Sequence, residues 1–166
     1  MSLRDATAQD LSGILAIYND VIATSTAVYA LEPVSLADRA QWLTAKQAQH
    51  FPVFAAVEGD EVLGFATYGE WRGAWAGYKF TVEHSVHVKA GLRGTGIGRQ
   101  LMQRLIDAAQ TAGLHVMIGA IDVGNAASIR FHEKLGFKTV AHFHEVGFKF
   151  NRWLDLVFMQ RLIEAL

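Results

Sequence analysis

The sequence predicts a mixed α/β fold in which one central sheet carries flanking helices. The chain has 166 residues, of which 51% are hydrophobic, and this length suits one domain with a substantial core. Helix-like and strand-like segments follow one another in the order α-α-β-β-β-α-β-α-β-β. No repeat or low-complexity linker interrupts that order, so we expect a single domain over residues 1–166.

The first two predicted elements are helices. Thr7 is the expected N-cap of the first helix, and Ser35 marks the start of the second. In the segment "TAQDLSGILAIYNDVIA", apolar side chains recur at helical spacing on one face: Leu11, Ile14, Leu15, Tyr18 and Ile22.

Strands dominate the middle and the end of the chain. "FPVFAAVE" and "EVLGFATYGEW" flank Gly59-Asp60, which predicts a hairpin, and "KFTVEHSVHV" is the third strand. A helix with a strong apolar stripe then ends near Gly113, and "HVMIGAI" reads as a buried strand. "NAASIRFHEKLGF" predicts a short helix closed by Gly136, before the final strands "TVAHFHEVGFKF" and "RWLDLVFMQRL".

Composition excludes several classes of function. The formal net charge of −1 argues against a general nucleic-acid binder. The absence of cysteine removes disulfides, thiolate metal sites and a cysteine nucleophile. No apolar run reaches membrane-spanning length, and the polar start "MSLRDATAQDL" lacks the apolar core of a signal peptide. We therefore expect a cytoplasmic protein that binds neither membrane nor nucleic acid.

The segment "GLRGTGIGRQLM" (91–102) is the strongest binding signal, because a glycine-rich turn there opens a helix. Such a turn presents free backbone N–H groups and the positive end of the helix dipole to an anion. A nucleotide P-loop is excluded, because Arg99 and not Lys follows Gly98. A dinucleotide fingerprint is weak, because the glycines alternate instead of following G-x-G-x-x-G.

The remaining pattern is Arg93-x-x-Gly96-x-Gly98, and together with "NAASIRFHEKLGF" it resembles the GCN5-related N-acetyltransferase (GNAT) family. The resemblance extends from Phe54 onward and implies a GNAT-like fold with a splayed strand in the mixed central sheet. It also implies acetyl-CoA as co-substrate, its pyrophosphate held by the loop. The implied cofactor-binding residues are Val86, His87, Val88, Arg93, Gly94, Thr95, Gly96, Ile97, Gly98, Asn125, Ser128 and Lys134.

Three further segments, "YKFTVEHSVHV", "GFKFNRWLDLVFMQ" and "STAVYALEPVS", resemble the phosphinothricin and methionine-sulfoximine type amino-acid N-acetyltransferases. That branch implies acetylation of the α-amino group of a small amino acid or analogue by a homodimer. It also implies Glu83 as general base and Arg72 as the clamp for the substrate carboxylate. The implied substrate-binding residues are Tyr29, Arg72, Gly73, Tyr78, Val82, Glu83, His84 and Lys149.

The chemistry of the residues supports a base at Glu83. An amino acid's amine is mostly an ammonium at neutral pH, so a base must expose its lone pair. Glu83 lies among apolar neighbours in the third strand, where burial would raise its pKa. Strict alternation places His84 on the opposite face, so we expect both to line a site only where the strand bulges.

The sequence leaves two routes open for protonation of the departing thiolate. Many members of the superfamily have a tyrosine six or seven residues after the asparagine, but counting from Asn125 gives Phe131 and His132. Either His132 donates the proton, or the thiolate leaves unaided. Two alternatives to amino-acid acetylation also stay open: protein N-terminal acetylation and a non-catalytic coenzyme A sensor.

The seven histidines also raise the question of a metal. His142-x-His144 places two imidazoles on one strand face, and His84-x-x-His87 adds a second pair. No third ligand at suitable spacing accompanies either pair. The sequence therefore predicts no metal site.

Overall fold

The computed structural model describes residues 1–163, and seven strands within them form one sheet in the order β1-β2-β3-β4-β5-β7-β6. The strands are β1 (Ser2–Asp5), β2 (Val53–Glu58), β3 (Glu61–Glu70), β4 (Thr81–Val88), β5 (Val116–Asp122), β6 (Lys138–Lys149) and β7 (Arg152–Leu162). The helices are α1 (Leu11–Thr24), α2 (Leu36–Ala48), α3 (Ile97–Thr111) and α4 (Ala126–Glu133). No helix in this part of the chain is long and apolar enough to cross a membrane.

All ten predicted elements are present, and the structure adds the strand β1. It pairs antiparallel with β2 at the edge of the sheet through backbone groups. Its four residues include Arg4 and Asp5, so neither composition nor alternation marked it as a strand. The expected N-cap Thr7 instead begins a short 3₁₀ turn (Ala8–Asp10), after which α1 starts at Leu11.

Two apolar clusters hold the sheet between helices. On one face α3 buries Leu101 and Leu105 completely against β2, β3 and β4. On the other face Ile14 of α1 and Leu43 of α2 pack around Phe65 of β3. At about 25 cal/mol per Å² of apolar surface removed from water, these contacts dominate the stabilisation of the layers.

The sheet opens between β4 and β5, which confirms the expected splayed strand. These two strands are parallel, but they pair only where Thr81–Glu83 lies beside Val116–Ile118. Beyond Glu83, β4 continues to Val88 while it pairs on its other side with β3. Beyond Ile118, β5 continues to Asp122 in contact with β7. A gap therefore begins immediately after Glu83.

The glycine loop delivers the chain from the end of β4 to the N-terminus of α3. Gly91, Gly94 and Gly96 all adopt positive φ (+83°, +85° and +93°), a region in which an L side chain is strained. Gly96 is the N-cap of α3, so the N–H groups of the first helical turn have no acceptor within the helix. The loop thus has the form of an anion-binding site, as its sequence predicts.

Candidate active site

A cleft of about 310 Å³ fills the gap between β4 and β5. Its walls come from the two diverging strands, from α4 and from the segment that follows α1. The lining residues are Thr26, Ala27, Val28, Tyr29, Glu83, His84, Ser85, Val86, His87, Ala120, Ile121, Asp122, Asn125, Ser128, His132 and Leu156.

Glu83 lies where β4 and β5 part, as the last β4 residue paired with β5. Its carboxyl is half-buried, and this burial raises its pKa above the ordinary value. A carboxylate with a raised pKa is a stronger proton acceptor than one in water. The position and the electrostatics therefore both suit a general base.

Glu83 and His84 both line the cleft, although β4 does not bulge. The pairing of β4 with β3 runs without a shift through Gly69↔Glu83 and Tyr68↔His84. The expectation that a bulge is needed was therefore wrong. Because the cleft passes between two strands instead of lying on one face of the sheet, side chains that alternate along β4 both reach its walls.

Two buried imidazoles, His84 of β4 and His132 of α4, stack against each other in the wall of the cleft. Their ring centroids are 5.0 Å apart and their planes differ by 21°. Phe137 packs edge-on against both rings. Gly119 of β5 leaves the room for this stack, because a Cβ there would lie 2.7 Å from Nε2 of His84.

The protonation of His132 follows from its hydrogen bond. Its Nδ1 donates to the carbonyl oxygen of Ser128 at 2.7 Å, so the neutral ring carries its lone pair on Nε2. That Nε2 is buried and has no protein partner among the described residues. Burial lowers the pKa of His132, although the Ser128 carbonyl opposes the shift. His132 is thus a neutral proton acceptor in the resting site.

His84 is held neutral more strongly. Burial, followed by electrostatic interaction with the imidazoles of His132 and His87, holds the pKa of His84 well below the ordinary value. Both of its ring nitrogens are buried without a hydrogen-bond partner in the described part of the chain. Of the two stacked rings, His132 is therefore the one that takes up a proton at lower cost.

Asn125 and Ser128 reach the cleft because they start α4. The Asn125 side chain is the N-cap and accepts a hydrogen bond from the backbone N–H of Ser128 at 3.1 Å. This cap fixes the first turn of α4, which in turn carries His132 one turn later. The sequence motif N-x-x-S therefore positions the histidine as well as lining the cleft.

Tyr29 closes one side of the cleft. Its hydroxyl donates to Oδ2 of Asp122 at 3.3 Å and approaches the carbonyl oxygen of Asp155 at 3.2 Å. Burial and the charge of Asp122 raise the pKa of Tyr29 to about 12, so it stays neutral. Tyr29 thus presents a neutral side chain, held by hydrogen bonds, to this side of the cleft.

Lys149 supports the same wall from outside the lining. Its ammonium is buried and donates to the carbonyl oxygens of Ser25 and Val28 at 2.8 and 2.7 Å. These two carbonyls bracket the cleft-lining residues Thr26 and Ala27. The contacts of Lys149 are therefore those of a positioning residue, whereas the sequence suggested a contact with substrate.

Besides Lys149, four more predicted substrate-binding residues lie outside the cleft lining. Gly73, Tyr78 and Val82 line a separate hollow of about 110 Å³ beside the β3–β4 loop. The guanidinium of Arg72 stacks over the rings of Trp75 and Tyr78, at 4.9 and 5.4 Å from their centroids. Arg72 also adopts a positive φ of +50°, which is uncommon for a residue with a side chain.

Most of the predicted cofactor-binding residues fall into two groups. Val86 and His87 line the cleft on the part of β4 that no longer pairs with β5, and β4 ends at Val88. Arg93 lines an adjoining groove with Asn125. The side chains of Thr95 and Ile97 have structural roles, since Thr95 Oγ1 donates to Leu92 O at 2.7 Å and Ile97 is buried in the core. Gly94, Gly96 and Gly98 keep the loop and the start of α3 free of larger side chains.

Lys134 is separate from both groups, because it lies at the far end of α4. It shares a groove along α3 with Arg99 and Arg161. The structure therefore brings Lys134 near other cations and leaves it outside the cleft.

Sequence reasoning missed several residues of the wall. Thr26, Ala27 and Val28 come from a stretch without regular structure, and Leu156 belongs to a strand distant in sequence. Their small or apolar side chains carry no chemical signature. Only the bends that bring these segments to β4 make them part of the site.

An acetyl-CoA molecule suits this arrangement. The positive-φ glycines before α3 leave backbone N–H groups free for a pyrophosphate, and the cleft runs along the edge of β4 that has lost β5. At Glu83 the cleft holds a base, and the unpartnered Nε2 of His132 lies in its wall. The fold and this site define an acyltransferase that uses coenzyme A.

Comparisons with known proteins identify the family. The model of the acetyltransferase (GNAT) family matches residues 14–137, and the chain belongs to that family. It is therefore an acetyl-CoA-dependent N-acetyltransferase, with acetyl-CoA as co-substrate.

Individual relatives match over nearly the whole chain. An L-methionine sulfoximine/L-methionine sulfone acetyltransferase of Pseudomonas paraeruginosa is 51% identical over 160 residues, covering 96% of this chain and 92% of the relative. An acetyltransferase structure from Salmonella typhimurium with acetyl-CoA superimposes with a TM-score of 0.96 at 42% identity, covering 100% and 95% of the two chains. A phosphinothricin acetyltransferase of Sinorhizobium meliloti in complex with acetyl-CoA gives 0.94 at 34% identity, covering 98% and 88%.

Proposed function

We propose that this enzyme acetylates the α-amino group of a small amino acid or analogue of the methionine sulfoximine, methionine sulfone or phosphinothricin type. The observation that carries the proposal is the half-buried Glu83, whose pKa is raised at the mouth of the split between β4 and β5. The substrate class is supported by the relatives, named for methionine sulfoximine and methionine sulfone in one case and for phosphinothricin in another.

The reaction converts an ammonium and a thioester into an amide, a thiol and one proton. Acetyl-CoA supplies the acetyl group in an activated form. Glu83 takes a proton from the substrate ammonium, directly or through a water, and so exposes the lone pair that attacks. Backbone N–H groups of Val86, His87 and Val88, in the part of β4 that no longer pairs with β5, are the proposed donors to the thioester oxygen as it gains negative charge.

His132 has a defined part in the proton balance. Its neutral Nε2 first accepts the second proton that the amine nitrogen loses as the amide forms, and then returns it to the thiolate as the carbon–sulfur bond breaks. The hydrogen bond from Nδ1 to Ser128 keeps the ring in the tautomer that this exchange requires. Nothing in the chemistry requires His84 to become charged, in agreement with its burial.

Arg72 is proposed to hold the substrate carboxylate from the β3–β4 loop. Arg72 is exposed on this loop, where its guanidinium stacks on the rings of Trp75 and Tyr78. Replacement by alanine is expected to raise KM for an amino acid about tenfold or more while KM for the corresponding amino-acid amide changes little. Equal KM values for acid and amide in the native enzyme would exclude a carboxylate clamp.

The central experiment replaces Glu83 by glutamine and follows thiol release. We expect kcat at neutral pH to fall by about 10²–10⁴-fold, because a general base contributes that much, while the Kd of acetyl-CoA stays within about twofold. Glu58→Gln, at an exposed carboxylate on the β2–β3 hairpin, is the control and should keep full activity. Parallel losses of cofactor binding and rate in Glu83→Gln would remove Glu83 as the base.

A substrate panel tests the class of acceptor. Methionine sulfoximine, methionine sulfone, phosphinothricin, ordinary amino acids and an N-terminal peptide amine are compared by kcat/KM. The proposal expects the small analogues to exceed the peptide by at least about tenfold. A preference for the peptide would favour protein N-terminal acetylation, and no turnover with any amine would favour a coenzyme A sensor.

We also propose that residues 1–166 form one N-acetyltransferase domain that acts as a cytoplasmic homodimer. The edge hairpin β6–β7 supports the dimer, because its large apolar side chains Phe148, Phe150 and Trp153 are 47–62% exposed. Multi-angle light scattering is expected to give twice the 18.3 kDa chain mass. A mass of one chain at micromolar concentration would contradict the dimer.

A further inference from the structure

We propose that His142, His144 and Asp155 form a binding site for a divalent transition-metal ion such as Zn²⁺ on the surface of the β6–β7 hairpin. Each side chain offers one ligand atom, and these three atoms lie within 4.8 Å of one another. The site lies outside the acetyl-transfer chemistry, and the proposal is independent of the substrate class.

The third ligand comes from the irregular pairing of the two strands. The register of β6 with β7 shifts between Phe143 and Gly147, so three β6 residues (144–146) bulge opposite Asp155. Sequence spacing shows the His-x-His pair but not a carboxylate eleven residues further along. The bulge therefore brings to the His-x-His pair a third side chain with a ligand atom, which the sequence spacing does not show.

The carboxylate of Asp155 is oriented toward the histidines before any ion binds. Its Oδ1 accepts a hydrogen bond from the backbone N–H of Glu145 at 2.8 Å, and Glu145 adopts a left-handed φ of +52° at the bulge. Its Oδ2 lies 2.8 Å from Nε2 of His142 and 2.9 Å from Nδ1 of His144. A second hydrogen bond of this kind is the usual support of a metal-ligating carboxylate.

The two histidine–carboxylate distances require only a small adjustment. Ligand atoms around a tetrahedral Zn²⁺ at about 2.0–2.1 Å are roughly 3.3 Å apart, so the two histidine–carboxylate separations must open by about half an ångström. His144 is largely exposed and free to move by this amount. Three protein ligands of two imidazoles and one carboxylate suit zinc, copper or nickel better than magnesium or calcium.

The test is a titration of tag-free, chelator-treated protein with Zn²⁺, followed by calorimetry. We expect one site per chain, and His144→Ala and Asp155→Asn should each weaken binding at least about tenfold, equivalent to about 1.4 kcal/mol. Asp155→Asn keeps an oxygen for the Glu145 N–H, so the bulge is preserved. His115→Ala, at an exposed histidine immediately before β5, is the matched control and should bind like the native protein.

A stability measurement provides a second readout. An ion that binds the folded chain raises Tm, so Zn²⁺ should raise Tm in the native protein and in His115→Ala but not in His144→Ala. Co²⁺ should give the visible absorption of a four-coordinate ion in the same two proteins. Binding that all four proteins share equally would show adventitious surface association and overturn the proposal.

Discussion

The two halves of β4 are both extended, and their side chains alternate between the faces of the sheet in the same way, yet they have different neighbouring strands. Thr81–Glu83 lies between β3 and β5 and is closed on both sides. From His84 to Val88 the strand keeps β3 but has lost β5, and the cleft occupies the vacated side. The comparison shows that one strand is part of the scaffold at its start and part of the active site at its end.

Glu83 belongs to both halves, and this explains its electrostatics. Pairing on both sides buries its backbone, while the gap beginning at the next residue gives its carboxyl access to a substrate. A glutamate deeper in the sheet would be inaccessible, and one further along would be more solvated and would have a lower pKa. Substitutions in the open half should therefore alter rates, and those in the closed half should alter stability.

The largest expected effect beyond Glu83 is at His132, which faces the open half. His132→Phe keeps a ring for the stack on His84 but removes Nε2, so kcat should fall about 10²-fold with little change in the Kd of acetyl-CoA. Stopped-flow or steady-state thiol release measures the rate. An unchanged kcat with an unchanged pH profile would show that the thiolate leaves unaided.

The closed half is tested by Val82→Ala. Val82 is 1% exposed and packs in the core beneath α3, so its truncation should lower the free energy of unfolding by about 2 kcal/mol. Activity per folded molecule should be nearly unchanged. A denaturant titration gives the stability, and a loss of kcat larger than tenfold would mean that the two halves are not separable.

A smaller effect is expected from Lys149→Met, which removes the support of the Thr26–Tyr29 wall. Loss of the two hydrogen bonds to Ser25 and Val28 leaves two carbonyls without their donor, so KM for the amine should rise several-fold while kcat changes less. Initial rates over a range of amine concentration separate the two constants. If Lys149 instead contacts substrate, its replacement should lower kcat/KM by clearly different factors for the different amino acids of the panel.

The smallest effect concerns stability and pH. Because the pKa of Glu83 is raised in the folded state, the folded chain binds this proton more tightly than the unfolded chain. The contribution of Glu83 to stability is therefore present below its unfolded pKa and is lost as the pH rises through its folded pKa. Thermal unfolding of the native protein between pH 4 and 7 should show this loss, and Glu83→Gln should lack it.

Much of the fold could be predicted because local patterns and tertiary contacts agree. The apolar stripe of α3, the Gly59-Asp60 turn and the glycines of the loop all impose local structures that the sheet then uses. Glu83 and His132 were recognisable because each lies within a short motif. β1 was missed because an edge strand of four half-exposed residues depends on its partner for its conformation.

The rest of the site depends on contacts between distant segments. Nothing near Lys149 in the sequence indicates that its ammonium reaches carbonyls more than 120 residues away. Alternation along β4 predicted that Glu83 and His84 lie on opposite faces and cannot both line one site. The separation of β4 from β5, which lets both side chains reach the cleft, is not visible in the sequence of either strand. Asp155 was overlooked as a partner of His142 and His144 because a bulge sets the register.

Asp155 also links two solvent-facing parts of the molecule, the cleft and the edge hairpin β6–β7. Its carbonyl accepts the N–H of Val123 at 3.0 Å beside the cleft, whereas its carboxylate accepts the N–H of Glu145 on the edge hairpin. One residue thus protects an amide on each side of β7. In native-state hydrogen exchange, the amides of Val123 and Glu145 should therefore exchange through one cooperative opening. In Asp155→Ala, the Glu145 amide should exchange faster than the Val123 amide, because it alone loses its acceptor.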